Sequence, residues 1–380
     1  MINEKLALNL TKIKNTGLYR NRMLTTGRVA SNFSSNDYLA LSDHFEIKQA
    51  FQEGFARYTS GSGASMAICG YHPIHQDLEK SFSQLLGADN ALLFSSGYAA
   101  NLGIVSLITQ LNAHLFIDKA VHASFYDGIR LFSPKYTRFF HNNYDELDKK
   151  LNGKKAEAII TVEGVFSMSG QKSDLHAIHK LCLEHKAVCI VDEAHSFGIL
   201  GPNGLGAVAL HGLSQDIVPL RMIAFGKALG IQGAIVVGSK DWIDALFQWS
   251  RSNIYSTAIS PALTYGILKS LDILYKADDK RENLKNGISY FKNKIATSPL
   301  VWRDSDTHIQ QLQLGCPHKA LFYASQLQDK GITCMALREP TVTRLETGLR
   351  VILRADHKPE DIDNLFKHLH NIYESTYRNS

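Results

Sequence analysis

The stretch from Ile190 to Gly230 holds the residues best equipped for chemistry. It opens on Ile190-Val191-Asp192-Glu193-Ala194-His195 and closes on Phe225-Gly226-Lys227-Ala228-Leu229-Gly230. An acid, an imidazole and a lysine can serve three ends: a metal ion, a nucleotide phosphate, or a Schiff base worked on by a nearby acid and base. The nucleotide reading compares Asp192-Glu193-Ala194-His195 with the ATPase box of RNA helicases. It requires an upstream G-x-x-x-x-G-K-[ST] loop, and neither Gly-Lys pair supplies one. Gly153-Lys154 is followed by Lys155, and Gly226-Lys227 lies downstream and precedes Ala228. A metal site from Asp192, Glu193 and His195 is weakened because Asp192 and Glu193 point to opposite faces if the strand continues, and no second histidine cluster is near.

The Schiff-base reading asks for pyridoxal 5'-phosphate. That cofactor needs a lysine, a carboxylate that keeps its ring nitrogen protonated, and amides or hydroxyls for its phosphate. Lys227, Asp192 and the turn Ser96-Gly97-Tyr98 could supply them. Ala91 to Phe94 is an apolar run followed by this small polar turn and a helical stretch, an arrangement that aims free amides at an anion. A plain strand-to-helix turn accounts for the same pattern.

The elements that must position these groups alternate between strand and helix. Ala187 to Val191 is a β-branched apolar run ending at a carboxylate, which reads as a strand buried on both faces. Leu115 to Asp118, Ala158 to Val162 and Ala234 to Val237 read as further strands; Ile47 to Tyr58, His75 to Leu86, Tyr144 to Leu151 and Leu175 to His185 read as helices. This alternation predicts an α/β large domain with a mainly parallel sheet, and in such sheets ligands sit outside the carboxyl ends of the strands. Residues 2 to 24 are helix-like, and Asn32 to Leu39 reads as a short strand running into a polar turn. Gly61-Ser62-Gly63-Ala64-Ser65 reads as a flexible turn, since Met66 stands where a dinucleotide fingerprint has its third glycine. Residues 262 to 290 read as a helical connector. Beyond about residue 295 the pattern becomes Ile309 to Leu314 strand, Ala320 to Lys330 helix, Ile332 to Leu337 strand, a turn at Arg338-Glu339-Pro340-Thr341-Val342, Gly348 to Leu353 strand and Pro359 to Tyr373 helix, a smaller α+β domain. The expected boundaries are an N-terminal segment over 1–45, a cofactor-binding domain over 46–275 and a C-terminal domain over 276–380.

Composition narrows the field of partners. With 44% hydrophobic and 20% charged residues the chain reads as an ordinary soluble globular protein. The formal charge of +5 comes from scattered rather than clustered lysines and arginines, which does not suggest nucleic acid. Apolar runs are too short to cross a bilayer, no secretory signal is expected at the start, and five widely spaced cysteines without a Cys-x-x-Cys pair fit reduced thiols in a cytoplasm.

Taken together, several motifs resemble the α-oxoamine synthases, a family of fold-type I pyridoxal phosphate enzymes with the aspartate aminotransferase-like fold. They are Asn32 to Leu39, Phe94 to Asn101, His122-Ala123-Ser124, Glu163 to Met168, Asp192 to His195, Phe225-Gly226-Lys227, Ile254 to Thr257 and Gly348-Leu349-Arg350, in the family's order over nearly the whole chain. The resemblance implies that Lys227 holds the cofactor and acts as general base, that Asp192 pairs with the ring nitrogen, that His122 stacks on the ring, and that His195 with Ser167 binds the phenolic oxygen. It implies that Ser96, Gly97 and Tyr98 cradle the phosphate, helped by Thr257 from the other subunit of a homodimer with shared sites. Asn36 and Arg350 would hold the amino-acid carboxylate, a group that suits a guanidinium fork, and Arg20 would be a further substrate contact. No metal is implied.

The implied reaction joins a small amino acid to an acyl thioester with loss of carbon dioxide. The Arg338 to Val342 turn and the Ser34 to Leu39 segment favour L-alanine and a pimeloyl thioester, carried on CoA or an acyl carrier protein, the reaction of biotin synthesis. Family members that make 2-amino-3-oxobutyrate, 5-aminolevulinate or acyl-derived signalling molecules share most motifs, and a non-catalytic regulatory protein of the same fold would not need both Lys227 and Asp192. Two departures stand out. Ala224 occupies a place where many relatives carry a phosphate-binding hydroxyl, and Met66 one where they carry a polar or basic residue.

Overall fold

The structure is a computed structural model in which residues 1–22, 31–153 and 157–377 are described. In chain order its strands are β1 (Ser31–Asn32), β2 (Asn90–Phe94), β3 (His114–Asp118), β4 (Tyr136–Phe139), β5 (Ala158–Glu163), β6 (Val188–Asp192), β7 (Leu220–Ala224), β8 (Ala234–Gly238), β9 (Ile309–Gln313), β10 (Ile332–Thr333), β11 (Met335–Leu337) and β12 (Gly348–Ile352). The chain divides into two compact units. One comprises Leu39–Ser167 and Lys172–Arg281; the other comprises Met1–Tyr38, Met168–Gln171 and Glu282–Ser380.

The first unit is built on a seven-stranded sheet in the order β2-β8-β7-β6-β5-β3-β4. The strands from β7 to β4 in that order are parallel, and β8 runs antiparallel to both its neighbours. Alternation along each strand sends side chains to two separate cores. Leu115, Ile117, Ile159, Ile190, Leu220 and Met222 enter one, under the helices Gly97–Gln110 and Ala123–Phe132. Phe116, Ile160, Val162, Cys189 and Val191 enter the other, against Tyr144–Leu151 and Leu175–His185. Burial on both faces explains why these strands read as unbroken apolar runs. The same parity sends Glu163 and Asp192, which end β5 and β6, to the side of the first core.

Glu193, directly after β6, keeps the strand alternation: its amide donates to Met222 O at 2.7 Å and its side chain takes the opposite face from Asp192. It is fully buried and accepts from Arg221 Nη2 at 2.9 Å, Arg221 Nε at 3.1 Å and the amides of Ala207 and Val208 at 2.7 and 3.1 Å, and it also bonds Ser196. The suspected metal trio is therefore taken apart: Glu193 is committed to an ion pair that ties β7 to the turn after β6. Gly61 to Ser65, read as a flexible turn, is likewise pinned. Ser62 Oγ donates to Ala258 O at 2.9 Å and the Ala258 amide to Ala64 O at 3.0 Å.

In the second unit β11, β12 and β9 form an antiparallel sheet in that order, with the helices Pro317–Gln328 and Pro359–Tyr377 and a ring cluster of Phe291, Trp302 and Phe366. The run Ile332 to Leu337, expected as one strand, breaks at Cys334. Its first half pairs in parallel with β1 and its second half antiparallel with β12, so the two halves belong to two separate sheets. The first helix runs Ile2–Asn15 with no buried residue, so its leucines mark an exposed stripe rather than a core face. Its expected end near Thr25-Thr26-Gly27 lies outside the described residues. The connector read over 262–290 is two helices, Pro261–Tyr275 and Asp278–Ala296. Among the described residues no helix is long and apolar enough to cross a membrane.

Replacing Arg221 by Met strands the Glu193 charge in a dry site, leaving three neutral donors. The expected loss is about 3 kcal/mol of unfolding free energy, since removing one member of a buried pair leaves an uncompensated ion. Urea unfolding of Arg221→Met checks this, and a loss below about 1 kcal/mol would show the pair to be dispensable.

Candidate active site

The carboxyl ends of β5, β6 and β7 and the amino end of the helix Gly97–Gln110 enclose a cavity of about 270 Å³. Ser96, Gly97, Tyr98, His122, Asp192, His195 and Lys227 all line it. Residues up to 131 positions apart in sequence thus converge within one unit, as expected for strand ends of an open parallel sheet.

Each is placed by a local cause. Ser96 is the N-cap of its helix, its Oγ accepting from the Ala99 amide at 3.2 Å, which leaves the Gly97 and Tyr98 amides without a helical acceptor. Gly97 has a reason to lack a side chain: a Cβ there would meet the Ala224 Cβ at 3.2 Å and Met222 Sδ at 3.3 Å. His122 is the N-cap of Ala123–Phe132, and its ring stands edge-on to Tyr98, with centroids 6.3 Å apart; Tyr98 in turn donates to Asp127. Lys227 follows β7 in a turn closed by the Gly230 amide on Lys227 O at 2.9 Å. Gly230 is in the left-handed region at φ 71°, and a Cβ would strike the Ser42 amide nitrogen at 2.8 Å, so only glycine serves.

Asp192 is the electrostatic centre. It is 3% exposed, its Oδ2 accepts from Asn101 Nδ2 at 2.9 Å and its Oδ1 from the Ala194 amide at 2.9 Å. Burial raises its pKa, while Asn101, the Ala194 amide, His122 and Lys227 pull it back down. Its register partner on β5 is Glu163, also a cavity-lining residue and 1% exposed. Glu163 Oε2 accepts from the Ser167 amide at 2.9 Å. Burial first, and then the Asp192 charge, push Glu163 well above the usual carboxylate range, against the pull of the Ser167 and His122 amides. His122 is lowered, chiefly by burial and against the pull of Asp192.

Not every expected residue enters this cavity. Ser167 is buried and contributes its amide to Glu163, but is not among the cavity-lining residues. Thr257 is exposed and borders a separate crevice with Ser95, Asn253 and Ser256. In the other unit Asn36 Oδ1 accepts from Arg350 Nη1 at 2.9 Å and from Tyr38 Oη at 3.2 Å, so Asn36 and Arg350 are brought together. Beside them His308 is buried against the Tyr38 ring at 4.0 Å and is pushed down to about 3 by burial and by the Arg350 charge. Arg20 is exposed and donates to Thr341 Oγ1 at 3.4 Å, not to that pair. Reading from sequence assigned no role to Asn101, Glu163 or Gln232, all of which line the cavity. Glu163 had a visible signal, since it closes an apolar strand just as Asp192 does; Asn101 and Gln232 had none beyond their position.

The sequence profile of aminotransferase class I and II matches residues 29–369. An 8-amino-7-oxononanoate synthase of Aeromonas salmonicida is 36% identical over 96% of this chain and 92% of its own length, and one of Marinobacter nauticus is 35% identical over 96% and 95%. The solved 8-amino-7-oxononanoate synthase of Francisella tularensis superposes with a TM-score of 0.80 at 31% identity, covering 92% of this chain and 99% of that one. A serine palmitoyltransferase of S. paucimobilis, bound to PLP joined to myriocin, shares the fold with a TM-score of 0.90 at 24% identity over 98% and 97%. The chain belongs to the class I and II aminotransferase family, in its 8-amino-7-oxononanoate synthase branch.

Because the folded-state pKa of Glu163 lies above that of an unfolded chain, about 4.3, the protonated form favours folding at low pH. That contribution is complete below the unfolded value and is lost as pH rises through the folded one. The neutral Glu163→Gln keeps an acceptor for the Ser167 amide and has nothing to ionise. Its unfolding free energy is expected to fall less steeply than the parent's as pH rises above the unfolded value. Parallel slopes in denaturant titrations across that range would refute a proton held on Glu163.

Proposed function

We propose that the protein is a pyridoxal phosphate-dependent acyltransferase that condenses L-alanine with a pimeloyl thioester, releasing carbon dioxide and a free thiol and yielding 8-amino-7-oxononanoate for biotin synthesis. The observation that carries this reading is the meeting of Lys227, the buried Asp192 carboxylate and the open amides of Gly97 and Tyr98 in one cavity. A primary amine, a buried carboxylate and an anion cradle beside a glycine that leaves no room for a Cβ are the three features that pyridoxal phosphate requires. The relatives named above, alike over nearly their full length, support the acyl and amino-acid substrates.

Bound there, the cofactor supplies an electron sink for the charge left when the amino acid gives up its α-proton. Lys227 holds the cofactor and then carries that proton as general base and acid. Asp192, kept ionised by Asn101 and the Ala194 amide, pairs with the ring nitrogen and holds a proton on it. His122 would stack on the ring and His195 would meet the phenolic oxygen, with Ser167, outside the cavity lining, supporting the site through its amide bond to Glu163. Ser96, Gly97 and Tyr98 would take the phosphate, joined by Thr257 of a second subunit, and the place of the hydroxyl that Ala224 lacks falls to other donors or to water. Thr257 is exposed and is not among the residues lining the cavity of its own chain, and that supports a homodimer with shared sites. Arg350, oriented by Asn36, receives the amino-acid carboxylate as a charge-assisted fork. Arg20 is an outer contact for the acyl substrate. We place the enzyme in the cytoplasm, where its unpaired cysteines stay reduced.

The purified protein is expected to be yellow, with a visible band that borohydride bleaches. Lys227→Ala is expected to lose both the fixed label and turnover, the latter by about a hundredfold or more. A colourless protein that added cofactor leaves unchanged would sink the reading. Thiol release from pimeloyl, acetyl and succinyl thioesters, each with alanine or glycine, tests the substrates. Alanine with the pimeloyl donor should be fastest, and a preference for glycine with acetyl or succinyl donors would assign a different reaction of the same chemistry.

A further inference from the structure

Below the cavity, Asp192, Asn101, Ser124 and His122 form a continuous line of hydrogen bonds. Asn101 Nδ2 donates to Asp192 Oδ2 at 2.9 Å and to Ser124 Oγ at 3.0 Å. Ser124 Oγ lies 2.8 Å from His122 Nδ1, and the Ser124 amide approaches the same nitrogen at 3.3 Å. We propose that Asn101 and Ser124 are positioning residues that hold the single ring proton of His122 on Nε2.

Proton arithmetic sets the direction of the line. The Asn101 carboxamide carries two hydrogens on Nδ2, and both are used. Turned over, it would press Oδ1 against the Asp192 carboxylate, so the orientation follows from the chemistry of its neighbour. Ser124 Oγ therefore accepts from Asn101, and its one proton is left for His122 Nδ1. A nitrogen that receives a hydroxyl and an amide donor has no room for a proton of its own, so the proton of the neutral ring sits on Nε2. Charging the ring would need a proton on Nδ1, against two donors. Burial, which lowers the His122 pKa, acts in the same sense. Asn101 is 1% exposed and Ser124 fully buried, so water does not compete for these bonds.

The line rests on helix packing. Asn101 lies in the first turns of Gly97–Gln110 and Ser124 in the first turn of Ala123–Phe132, the two helices that cover the core on the Asp192 side of the sheet. A single asparagine thus serves both ends: it helps keep Asp192 an anion and His122 neutral. Under the proposed function, the imidazole face beside the cofactor ring then adds no second positive charge to the one that Asp192 stabilises. This last consequence depends on pyridoxal phosphate binding; the proton position does not.

Nitrogen-15 imidazole spectra read the proton position directly, in the cofactor-loaded and the cofactor-free protein, with His122 assigned by the signal lost in His122→Asn. The parent should show a bare Nδ1 and a protonated Nε2 in both forms. Asn101→Asp, nearly equal in shape, replaces the donor by an acceptor. Ser124 should then turn its proton toward residue 101 and accept from Nδ1, moving the ring proton from Nε2 to Nδ1. Ser124→Ala should mix the two positions and raise the His122 midpoint by about one pH unit, the worth of one hydrogen bond. A protonated Nδ1 in the parent, or an unmoved proton in Asn101→Asp, overturns the proposal. If Asn101→Asp does not fold, an unchanged midpoint and proton position in Ser124→Ala overturn it. Failure to take up the cofactor would count against the proposed function alone, because the cofactor-free spectra still report the proton.

Discussion

A carboxylate buried at the end of β6 is the constraint around which the site is arranged. An isolated ion in a dry interior is costly enough that it either protonates or finds donors. Asp192 finds them in Asn101 and the Ala194 amide, with His122 and Lys227 adding positive potential. Glu163, its in-register neighbour, accepts from the Ser167 amide at 2.9 Å, and burial with the Asp192 charge pushes its pKa well above the usual carboxylate range. Burial thus raises both carboxyls, and the donors around Asp192 hold its shift back.

The sheet makes this meeting possible. In adjacent parallel strands held in register, Glu163 and Asp192 stand side by side, and the strand period of two sends both to the face covered by Gly97–Gln110. A slip of one residue would turn Asp192 into the opposite core and bring Val191 to the cavity. The register is held in turn by apolar burial on both faces, so the packing of Ile190 and Val191 decides where the chemistry sits.

Glu193 shows how near the alternatives lie. The Asp-Glu-Ala-His run could have offered two carboxylates and an imidazole to a metal, yet strand alternation sends Glu193 to the other face of the sheet, into a buried bond with Arg221. The acids are separated in role by one peptide unit. The one faces the cavity and the other closes the fold behind it.

Much of this was legible in the linear pattern. Apolar runs ending at Phe94, Asp118 and Asp192 mark strands because only unbroken β-branched and aromatic segments suit burial on two faces, and helix periodicity marks Leu175 to His185 to the residue. Lys227, Asp192, His122 and the Ser96 turn were visible because each stands at the end of an element, where polar groups in a run of apolar ones call for a reason. The strand break at Cys334, the ion pair of Glu193 and Arg221, and the line from Asp192 through Asn101 and Ser124 to His122 were not visible. Each joins residues whose neighbours in sequence say nothing about which partner they meet, and hydrogen-bond direction depends on angles and distances that only packing sets. Residue types and their order determined the kit of groups and the sheet that carries it; the tertiary structure decided which carboxyl finds donors and which groups supply them, because those are properties of an environment assembled from distant parts of the chain.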